Sequence, residues 1–568
     1  MAEIFNLADL NQILLVKLGW FIFVLLGLYL INLRPRPVLF LALFSGLSAL
    51  AYFFFVNDRG LMFWGLIGDE VTIASMYEHF AHASFFSDFS YVNLPPFYPP
   101  LYFWIFAVAG KIFSLNGIQM AKLGTLAFFL FFPLALYWIQ RFSWGRQTDK
   151  PANLALWLFP LIACIFIDWD AMIIKPYEMI GAAFTLIWTA SLARTVSREH
   201  VSWKKVMVFG LTGGLLFMLY YLWIIFAFIS LSLGSFWISR QQQIKYFVRL
   251  FLVGIVVLVA SLPYLGPLVL TYSQLGAENW QTVLLTKSGI SLDTPMFSLT
   301  FRGLLMLGGF VSLVYYWSRP YIRSLGLIFI TSYLWQGLGL VLVLFFSTPI
   351  QEFKGFYFLN RLVLAAALAY ALGQIYIWLR EKQPQLLRPL AIIGLVFLST
   401  QMFFGFFIDD PVVQRRVVES RQLRPPVAKL IEYLATDIKQ SKDLLVLHSG
   451  IGELNAFLPL NNFIYFNQHN SHPAAQFSSR YLYVQWLSLA RDSKEFHQMA
   501  VNSPQGRIDR FIFFTEPDSK VYKVYFELDN FPNQIKNEIV EIPQHLLAEP
   551  YFFKVYENEQ VVIFDTVN

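Results

Sequence analysis

The sequence predicts a mostly helical protein that crosses a membrane many times and ends in an α/β domain outside the bilayer. Of its 568 residues, 57% are hydrophobic and only 14% are charged, and the mean hydropathy is +0.54. A water-soluble protein of this length could not bury so much apolar surface, so lipid must solvate much of it. The composition changes after residue 408, where a charged stretch begins. These observations predict a membrane domain, residues 1–408, followed by a globular tail.

Apolar runs long enough to cross a bilayer predict about twelve transmembrane helices. The runs are 13–32, 37–56, 119–140, 153–168, 179–194, 206–220, 221–238, 248–270, 300–317, 324–347, 361–379 and 389–408. Residues 206–238 form either one long tilted helix or two short helices that turn near Tyr220, and the charge pattern favours the turn. The segment 100–116 is short, follows prolines and contains Lys111, which favours a helix lying in the membrane interface.

Basic residues predict which side of the membrane each connection faces, because lysine and arginine concentrate in cytoplasmic loops. Basic clusters fall on alternate connections: "LRPRP", "QRFSWGRQTDK", "ARTVSREHVSWKK", "SRQQQIK", "SRPYIR" and "LREKQPQLLR". If these lie in the cytoplasm of a bacterium, the loops 57–118, 272–298 and 348–360 and everything after 408 lie outside its inner (plasma) membrane. The net charge is +6, and the positive residues fall in short clusters between apolar runs. This distribution suits contact with membrane lipids and not nucleic-acid binding.

The tail has the pattern of an ordinary α/β domain. Residues 409–426 are charged and contain prolines, which is typical of a linker, and residues 427–568 follow. That segment begins with the amphipathic helix "VAKLIEYLATDIKQ" and contains the strand-like runs "DLLVLHSG", "RFIFFTE" and "VVIFDTV". We therefore expect a soluble domain of ordinary size on the outer side of the membrane.

Two adjacent acids, Asp69 and Glu70, follow an apolar run in "FWGLIGDEVTIASMYEHF". Ile73, Met76 and Phe80 come next at helical spacing, which predicts an amphipathic surface helix with the acids at its N terminus. In one interpretation the acids only stabilise the helix dipole. In the other, one carboxylate takes a proton from a sugar hydroxyl as that hydroxyl attacks, and its neighbour holds the acceptor or a metal ion.

A proline-rich aromatic segment, "NLPPFYPPLYFWIF" at 93–106, comes downstream of the acids. Its four prolines predict a stiff, non-helical approach to the membrane interface. Its rings suit either anchoring among lipid headgroups or stacking on a sugar.

These features together resemble the GT-C glycosyltransferases. The resemblance rests on an outer loop with Asp-Glu, then Tyr77, then "YPPLYFW", then a span that ends in arginine at the cytoplasm, and it is strongest within 60–145. "PPFYPPLYFW" and the outer C-terminal domain favour the galactan 5-O-arabinofuranosyltransferase family. The resemblance implies a GT-C-type fold and inverting transfer of a sugar, arabinofuranose in that family, from a polyprenyl-phosphate donor to a glycan or glycolipid hydroxyl. Asp69 would be the base and Glu70 its neighbour, with the choice between them left open.

Cations on the outer side are the predicted ligands of the donor phosphate. The leaving phosphate gains negative charge as the glycosidic bond breaks, so the site needs positive groups at the interface. The loop "STPIQEFKGFYFLNR" supplies Lys354 and Arg361, and similar outer-loop cations contact the donor phosphate in the family. The alternative is that Arg361 only snorkels at the start of a span while Lys354 is solvated.

A second acidic cluster, "FIDWDAMIIKPYE", closes the next outer turn. It contains Asp168, Asp170, Lys175 and Glu178. The cluster is either a solvated turn or, as several family members imply, a group that orients the acceptor or a metal. We assign this orienting role to Asp168 first, together with Asp170, Tyr77 and Tyr98. The identity of the ion, Mg²⁺, Mn²⁺ or Ca²⁺, and the need for one stay open, and no other cofactor is expected.

Histidines give weaker signals. His79 and His82 stand near Glu78 without a defined third metal ligand, so a plain surface helix explains them better than a zinc site. In the C-terminal domain, "NQHNSHPAAQFSSR" offers His469, His472 and Arg480, either as ligands of an acceptor carbohydrate or as an ordinary polar loop.

Rival functions fit the sequence less well. A lipid-linked sugar flippase or transporter should show polar groups at mid-membrane and internal symmetry, whereas the ionisable groups of interest here gather on one face. If the protein were only a structural scaffold, the arrangement of Asp-Glu and "YPPLYFW" would have no explanation. A GT-C transferase that moves a hexose or aminoarabinose to a lipid or protein fits the same residues, so the sugar rests on the resemblance alone.

Overall fold

The structure is a computed structural model. It describes residues 7–32, 37–57, 59–63, 65–66, 68–144, 150–198, 200–278, 292–346, 348, 350–401, 420–441, 443–530 and 534–567. Residues 402–419, which hold the end of the last expected span and much of the expected linker, lie outside these ranges.

Helices make up the described part of the membrane domain. They are α1 (Leu7–Asn32), α2 (Pro37–Val56), α3 (Asp69–His82), α4 (Leu101–Phe113), α5 (Gly117–Trp144), α6 (Lys150–Phe166), α7 (Trp169–Ile174), α8 (Pro176–Val196), α9 (Trp203–Gly234), α10 (Arg240–Leu275), α11 (Phe301–Tyr315), α12 (Pro320–Phe346), α13 (Arg361–Lys382) and α14 (Leu387–Gln401). Among the described residues, seven helices are long and apolar enough to cross a membrane: α2, α5, α8, α9, α10, α12 and α13 with the turn before it. The protein is therefore an integral membrane protein, and the total of about twelve spans stays a prediction.

Helix α9 reverses direction at Tyr220. The backbone there is extended, with φ −165° and ψ 98°, which interrupts the helix. The first half of α9 runs parallel to α10, since Gly210 packs against Val256 and Gly214 against Ala260. Because α10 starts only a few residues after α9 ends, the second half of α9 must return to the end of the bundle where the first half began. This agrees with the expected pair of short helices.

Several basic connections consequently meet at one end of the bundle, which we call the basic end. Arg249 of α10 donates a hydrogen bond of 2.8 Å to the carbonyl of Val196, the last residue of α8. The guanidinium of Arg323 lies 5.9 Å from the centre of the Trp237 ring. The start of α8, which follows the second acidic cluster, lies at the opposite end. This grouping of basic connections is the pattern that the alternating charges predicted.

Helix α3 is buried almost completely. It starts at Asp69, as expected, after Gly68, whose φ of 58° and ψ of −125° suit a residue without a side chain. Residues 70–81 are all buried, so the expected amphipathic surface helix is wrong. The reason is that other segments cover its outer side: Gly117 packs against the backbone of Ala74 and of Ala456.

His79 shares the burial of α3. Its Nε2 atom lies 2.7 Å from the hydroxyl of Ser87, so the surface-helix explanation does not hold for this histidine.

The described C-terminal domain is α/β, as expected. Its helices are α15 (Pro425–Ser441), α16 (Glu453–Phe457), α17 (Phe477–Leu487) and α18 (Ser493–Val501). Its strands are β1 (Leu445–His448), β2 (Asn461–Asn462), β3 (Arg510–Phe514), β4 (Val521–Asn530), β5 (Gln534–Pro543), β6 (Phe552–Glu557) and β7 (Val561–Thr566). One sheet has the order β2-β1-β3-β7-β6, with β1 parallel to both neighbours and β7 antiparallel to both of its own, and β4 and β5 form a separate hairpin.

The C-terminal domain docks on the segment between α3 and α4 through buried polar contacts. The amide of Asn462 donates a 2.9 Å hydrogen bond to the carbonyl of Ser90. The hydroxyl of Tyr91 accepts a 2.9 Å bond from the amide of Tyr465 and lies 2.8 Å from the hydroxyl of Ser471. Because such contacts fix the register between the two parts, the domain holds its loops in a defined position beside α3.

Candidate active site

Asp69 combines an accessible carboxylate with a direct cationic partner. Its side chain is 45% exposed, and one carboxylate oxygen lies 2.6 Å from the ammonium group of Lys175. Lys175 holds the pKa of Asp69 below its ordinary value, although burial of the surroundings acts the other way. Lys354 and His469 lower this pKa further. Asp69 is therefore ionised at neutral pH and able to accept a proton.

Glu70 has a different environment from its neighbour. Its side chain is only 1% exposed, because successive residues of a helix point in directions about 100° apart and this one faces the core. It lies close enough to Tyr52 of α2 to interact electrostatically. Of the two adjacent acids, only Asp69 is accessible to a substrate.

Glu178 links two lysines to the same place. It lies in the first turn of α8, which begins at Pro176 because proline fits the first position of a helix. Its carboxylate is 0% exposed, and each of its oxygens lies 3.3 Å from the ammonium of Lys354. Lys175 lies 3.9 Å away. Asp69, Lys175, Glu178 and Lys354 form one unit with no net charge, which we call the charged cluster.

Four tyrosines border the charged cluster. The tyrosine cluster consists of Tyr98, Tyr177, Tyr220 and Tyr221. The hydroxyl of Tyr98 lies 3.0 Å from that of Tyr177 and donates a 3.4 Å hydrogen bond to Glu178. The ammonium of Lys354 lies 5.5 Å from the centre of the Tyr220 ring, a cation–π contact. The extended backbone at Tyr220 thus brings the tip of the α9 hairpin to the charged cluster.

Asp168 binds two arginines that come from distant parts of the chain. One carboxylate oxygen accepts a hydrogen bond from Arg302 of α11 and the other accepts one from Arg361 of α13. Burial raises the pKa of Asp168, but the two guanidinium groups outweigh it and the net pKa is lowered. The trio carries one net positive charge. The buried Nε atom of Arg361 has no hydrogen-bond partner among the described residues, so this side chain retains donor capacity.

The other predicted residues of the membrane domain are less central. Tyr77 is buried, with its ring 4.9 Å from that of Phe103 and 6.4 Å from that of Phe106, so it packs the core and does not face the charged cluster. Asp170 is half-buried near Asp168, and burial raises its pKa.

The three predicted residues of the C-terminal domain separate into two groups. His469 is 33% exposed, lies 3.2 Å from the buried Asp529 and is near enough to Asp69 to affect its charge. His472 is fully buried and accepts a hydrogen bond from the amide of Ala474. Acceptor binding by His472 stays a prediction.

Arg480 is occupied inside the domain. It donates a 2.6 Å hydrogen bond to the carbonyl of Ala475 and another to that of Phe463, and it lies 5.1 Å from the centre of the Tyr91 ring. These contacts hold the fold and use part of the N–H donors of Arg480, and acceptor binding by this residue stays a prediction.

The sequence predicted part of this site. Lys175 and Glu178 belong to the predicted acidic cluster, in which the orienting role was assigned to Asp168 first. Tyr177, Tyr220 and Arg302 were not predicted as site residues, and Tyr220 was named only as the place of a turn. Lys175 and Glu178 stand on either side of Pro176, and these charges could have identified Glu178 as a site residue. Arg302 stands at the start of an ordinary apolar run, and only the fold brings it to Asp168.

A divalent ion has few ligands here. Within the described ranges, no group of three or more His, Cys, Asp or Glu side chains could hold a metal ion. Asp69, Glu178 and Asp168 each have a lysine or arginine as partner. We therefore derive no step through a metal.

Comparisons with known proteins identify the family and the fold. Residues 36–386 match the family model described as "Arabinofuranosyltransferase N terminal". Over 521 residues the chain is 22% identical to galactan 5-O-arabinofuranosyltransferase of Mycolicibacterium smegmatis, which covers 82% of this chain and 77% of that protein. Two crystal structures of ArnT from Cupriavidus metallidurans, one bound to undecaprenyl phosphate and one in the apo state, have TM-scores of 0.50 and 0.51. Each is 13% identical and covers 92% of this chain and 97% of ArnT.

The family match and the fold point to the same class. The matched range contains Asp69, the whole charged cluster and the arginines bound to Asp168, while the likeness to ArnT extends over the C-terminal domain as well. Since the match covers more than half of the chain, this protein belongs to the arabinofuranosyltransferase family of GT-C glycosyltransferases.

Proposed function

We propose that the protein transfers arabinofuranose from a polyprenyl-phosphate donor to a hydroxyl group of a glycan, with inversion at the anomeric carbon. The observation that carries the proposal is the accessible, ionised carboxylate of Asp69 beside Lys175, with Lys354 close enough to lower its pKa further. The Mycolicibacterium relative is named as a galactan arabinofuranosyltransferase, and one ArnT structure contains undecaprenyl phosphate, which supports the donor class and the sugar.

Asp69 acts as the general base in this proposal. The acceptor hydroxyl gives its proton to Asp69 while its oxygen forms a bond to the anomeric carbon. The bond between that carbon and the phosphate oxygen breaks on the opposite face, and its electron pair leaves with polyprenyl phosphate. Lys175 keeps Asp69 ionised before the acceptor arrives. Glu70 is buried, so it does not contact the acceptor.

The leaving phosphate is bound by Lys354, Arg361 and Arg302. Glu178 positions Lys354 from one side and Asp168 positions both arginines from the other. Arg361 still has its buried Nε group to donate, and the trio around Asp168 is positive overall. Preorganised cations of this kind stabilise the charge that develops as the bond breaks.

The acceptor lies between the tyrosine cluster and the C-terminal domain. Aromatic rings such as that of Tyr98 present flat apolar faces on which a sugar ring can stack. His469, which is partly exposed and held by Asp529, supplies a hydrogen-bonding group near Asp69. The basic end faces the cytoplasm, because lysine and arginine favour that side, so the site opens outside a bacterial plasma membrane.

The first experiment uses purified protein in nanodiscs with a panel of polyprenyl-phosphate sugars, arabinofuranose, a hexose and aminoarabinose, and a galactan oligosaccharide as acceptor. We expect transfer from the arabinofuranose donor, with release of polyprenyl phosphate. Asp69→Asn should lose about 10²-fold or more of this activity, because general-base catalysis contributes on that order.

The control is Asp443→Asn, which neutralises an exposed acid of the C-terminal domain away from the charged cluster. It should retain turnover. Normal transfer by correctly folded Asp69→Asn protein would overturn the base assignment. Lipid movement between leaflets of sealed vesicles without transfer from any donor would overturn the enzyme proposal in favour of a flippase.

A further inference from the structure

A cavity lies at the basic end of the membrane domain, far from the charged cluster. It has a volume of about 730 Å³ and is formed by the end of α8, the end of α9, the start of α10 and the start of α12. Helix α8 connects the two places: Glu178 is in its first turn and Arg194 in its last. At 1.5 Å per residue, these two positions are roughly 24 Å apart, so one small ligand cannot occupy both sites.

Three arginines line this cavity. Arg194 comes from α8, Arg319 from the connection before α12, and Arg323 from α12 itself. Among the described residues that line the cavity there is no aspartate or glutamate. The cavity therefore carries an excess of three positive charges that its own lining does not neutralise. A general preference for basic residues in cytoplasmic loops explains their number but not their convergence on one cavity.

Two backbone carbonyls and an aromatic ring hold Arg323 in place. Its guanidinium donates a hydrogen bond of 3.1 Å to the carbonyl of Ser318 and a longer one of 3.4 Å to that of Trp317. It also lies against the Trp237 ring. These contacts use only part of its five N–H donors, and they fix the side chain so that little conformational freedom is lost when a ligand binds.

The remaining lining suits a ligand with a polar head. The polar residues Ser197, Ser239, Gln242 and Ser324 line the cavity together with the arginines. Leu231, Ile238 and Leu327 form an apolar part of the lining. Next to the cavity, the Phe236 side chain is exposed at the surface, where it would meet lipid.

We propose that this cavity binds a phosphate group, carried either by the headgroup of an anionic lipid or by a soluble phosphate ester. Guanidinium groups bind phosphate through paired N–H donors, and an acid-free arginine cavity between membrane helices is suited to a phosphorylated headgroup. The volume is larger than phosphate alone requires, which leaves room for the group esterified to it.

The test measures binding to the full chain in detergent by native mass spectrometry and by thermal unfolding. The probes are dioctanoyl phosphatidylglycerol, the phosphate-free dioctanoylglycerol, and the soluble compounds glycerol 3-phosphate and inorganic phosphate. We expect phosphatidylglycerol to bind in preference to dioctanoylglycerol. The triple variant Arg194→Gln, Arg319→Gln, Arg323→Gln should bind phosphate ligands about tenfold more weakly or worse, as expected for the loss of charge-assisted hydrogen bonds.

The matched control removes three exposed cations of the basic end that do not line the cavity, in the variant Lys204→Gln, Lys205→Gln, Arg388→Gln. It should bind like the wild type. A second variant, Gly234→Leu, fills the cavity without a change of charge. A Cβ at this position has only ordinary contacts, 3.6 Å from Leu327 and from Tyr246, so this variant should fold and still lose binding.

The soluble probes distinguish the two sources of phosphate. Comparable binding of glycerol 3-phosphate identifies a soluble ester, and binding of phosphatidylglycerol alone identifies a lipid headgroup. Equal loss of binding in the cavity variant and the control variant would overturn the proposal, because it would show only nonspecific attraction to a basic surface. Equal binding of dioctanoylglycerol, or unchanged binding by Gly234→Leu, would overturn it as well.

Discussion

The ammonium group of Lys175 lies 2.6 Å from a carboxylate oxygen of Asp69, so the junction before α8 sets the charge of the first residue of α3. The pair explains how an acid in such surroundings stays ionised. It also means that the proposed base acts with a cation as its permanent neighbour, and that the two can be tested separately.

Replacement of Lys175 by methionine should shift the pH dependence of transfer. Lys175 lowers the pKa of Asp69, so in the wild type the base stays ionised, and activity persists, down to lower pH. In Lys175→Met the pKa of Asp69 rises, and the acidic limb of the kcat/KM profile moves to higher pH. Lys204→Met, a change of the same kind at the basic end, should leave the limb in place. An unmoved limb in Lys175→Met would separate Lys175 from the base.

Replacement of Glu178 by glutamine should destabilise the protein. Glu178 is fully buried between Lys175 and Lys354. In Glu178→Gln the two lysines lose this anionic partner, and an uncompensated charge is costly in a low-dielectric environment. We expect a loss of roughly 3 kcal/mol in the free energy of unfolding, the scale of a broken buried ion pair. Thermal unfolding in detergent measures it, with Glu381→Gln, an exposed acid near the end of α13, as the control. An equal melting temperature in both variants would refute the structural role.

Removal of either arginine bound to Asp168 should weaken donor binding. Arg302→Gln and Arg361→Gln each lose charge-assisted donors to phosphate, for which we expect about tenfold weaker binding of polyprenyl phosphate. Competition of polyprenyl phosphate against the donor measures the effect, and Arg388→Gln at the basic end is the control. If Arg302→Gln binds the lipid like the wild type, Arg302 serves only to hold Asp168.

His469 and Arg480 of the C-terminal domain should respond differently to replacement by alanine. His469→Ala should raise the KM for the acceptor with little change in melting temperature, because the side chain is partly exposed. Arg480→Ala should instead lower stability by about 1–3 kcal/mol, since buried carbonyl groups lose their donor. Kinetics and thermal unfolding of the same two preparations measure both effects. A raised acceptor KM in stable Arg480→Ala protein would show that Arg480 binds the acceptor.

Local patterns in the sequence were enough for the seven described helices that are long enough to cross a membrane, for the start of a helix at Asp69, for the turn at Tyr220 and for the α/β tail. They failed where burial depends on distant segments. The spacing of Ile73, Met76 and Phe80 predicts one apolar face. The opposite face is covered by α16, which is distant in the sequence, so no local pattern can predict the burial of that face. Arg302 was missed for the same reason, because its partner Asp168 comes from another part of the chain.

The docking of the C-terminal domain has a consequence for how the protein is made. Ser90 and Asn462, which meet in that contact, are 372 residues apart, so a ribosome produces α3 long before the segments that cover it. Until those segments are made, one side of the helix that carries Asp69 stays uncovered, and its surroundings are completed only after the distal domain has folded. Formation of the site around α3 is thereby tied to completion of the C-terminal part of the same chain.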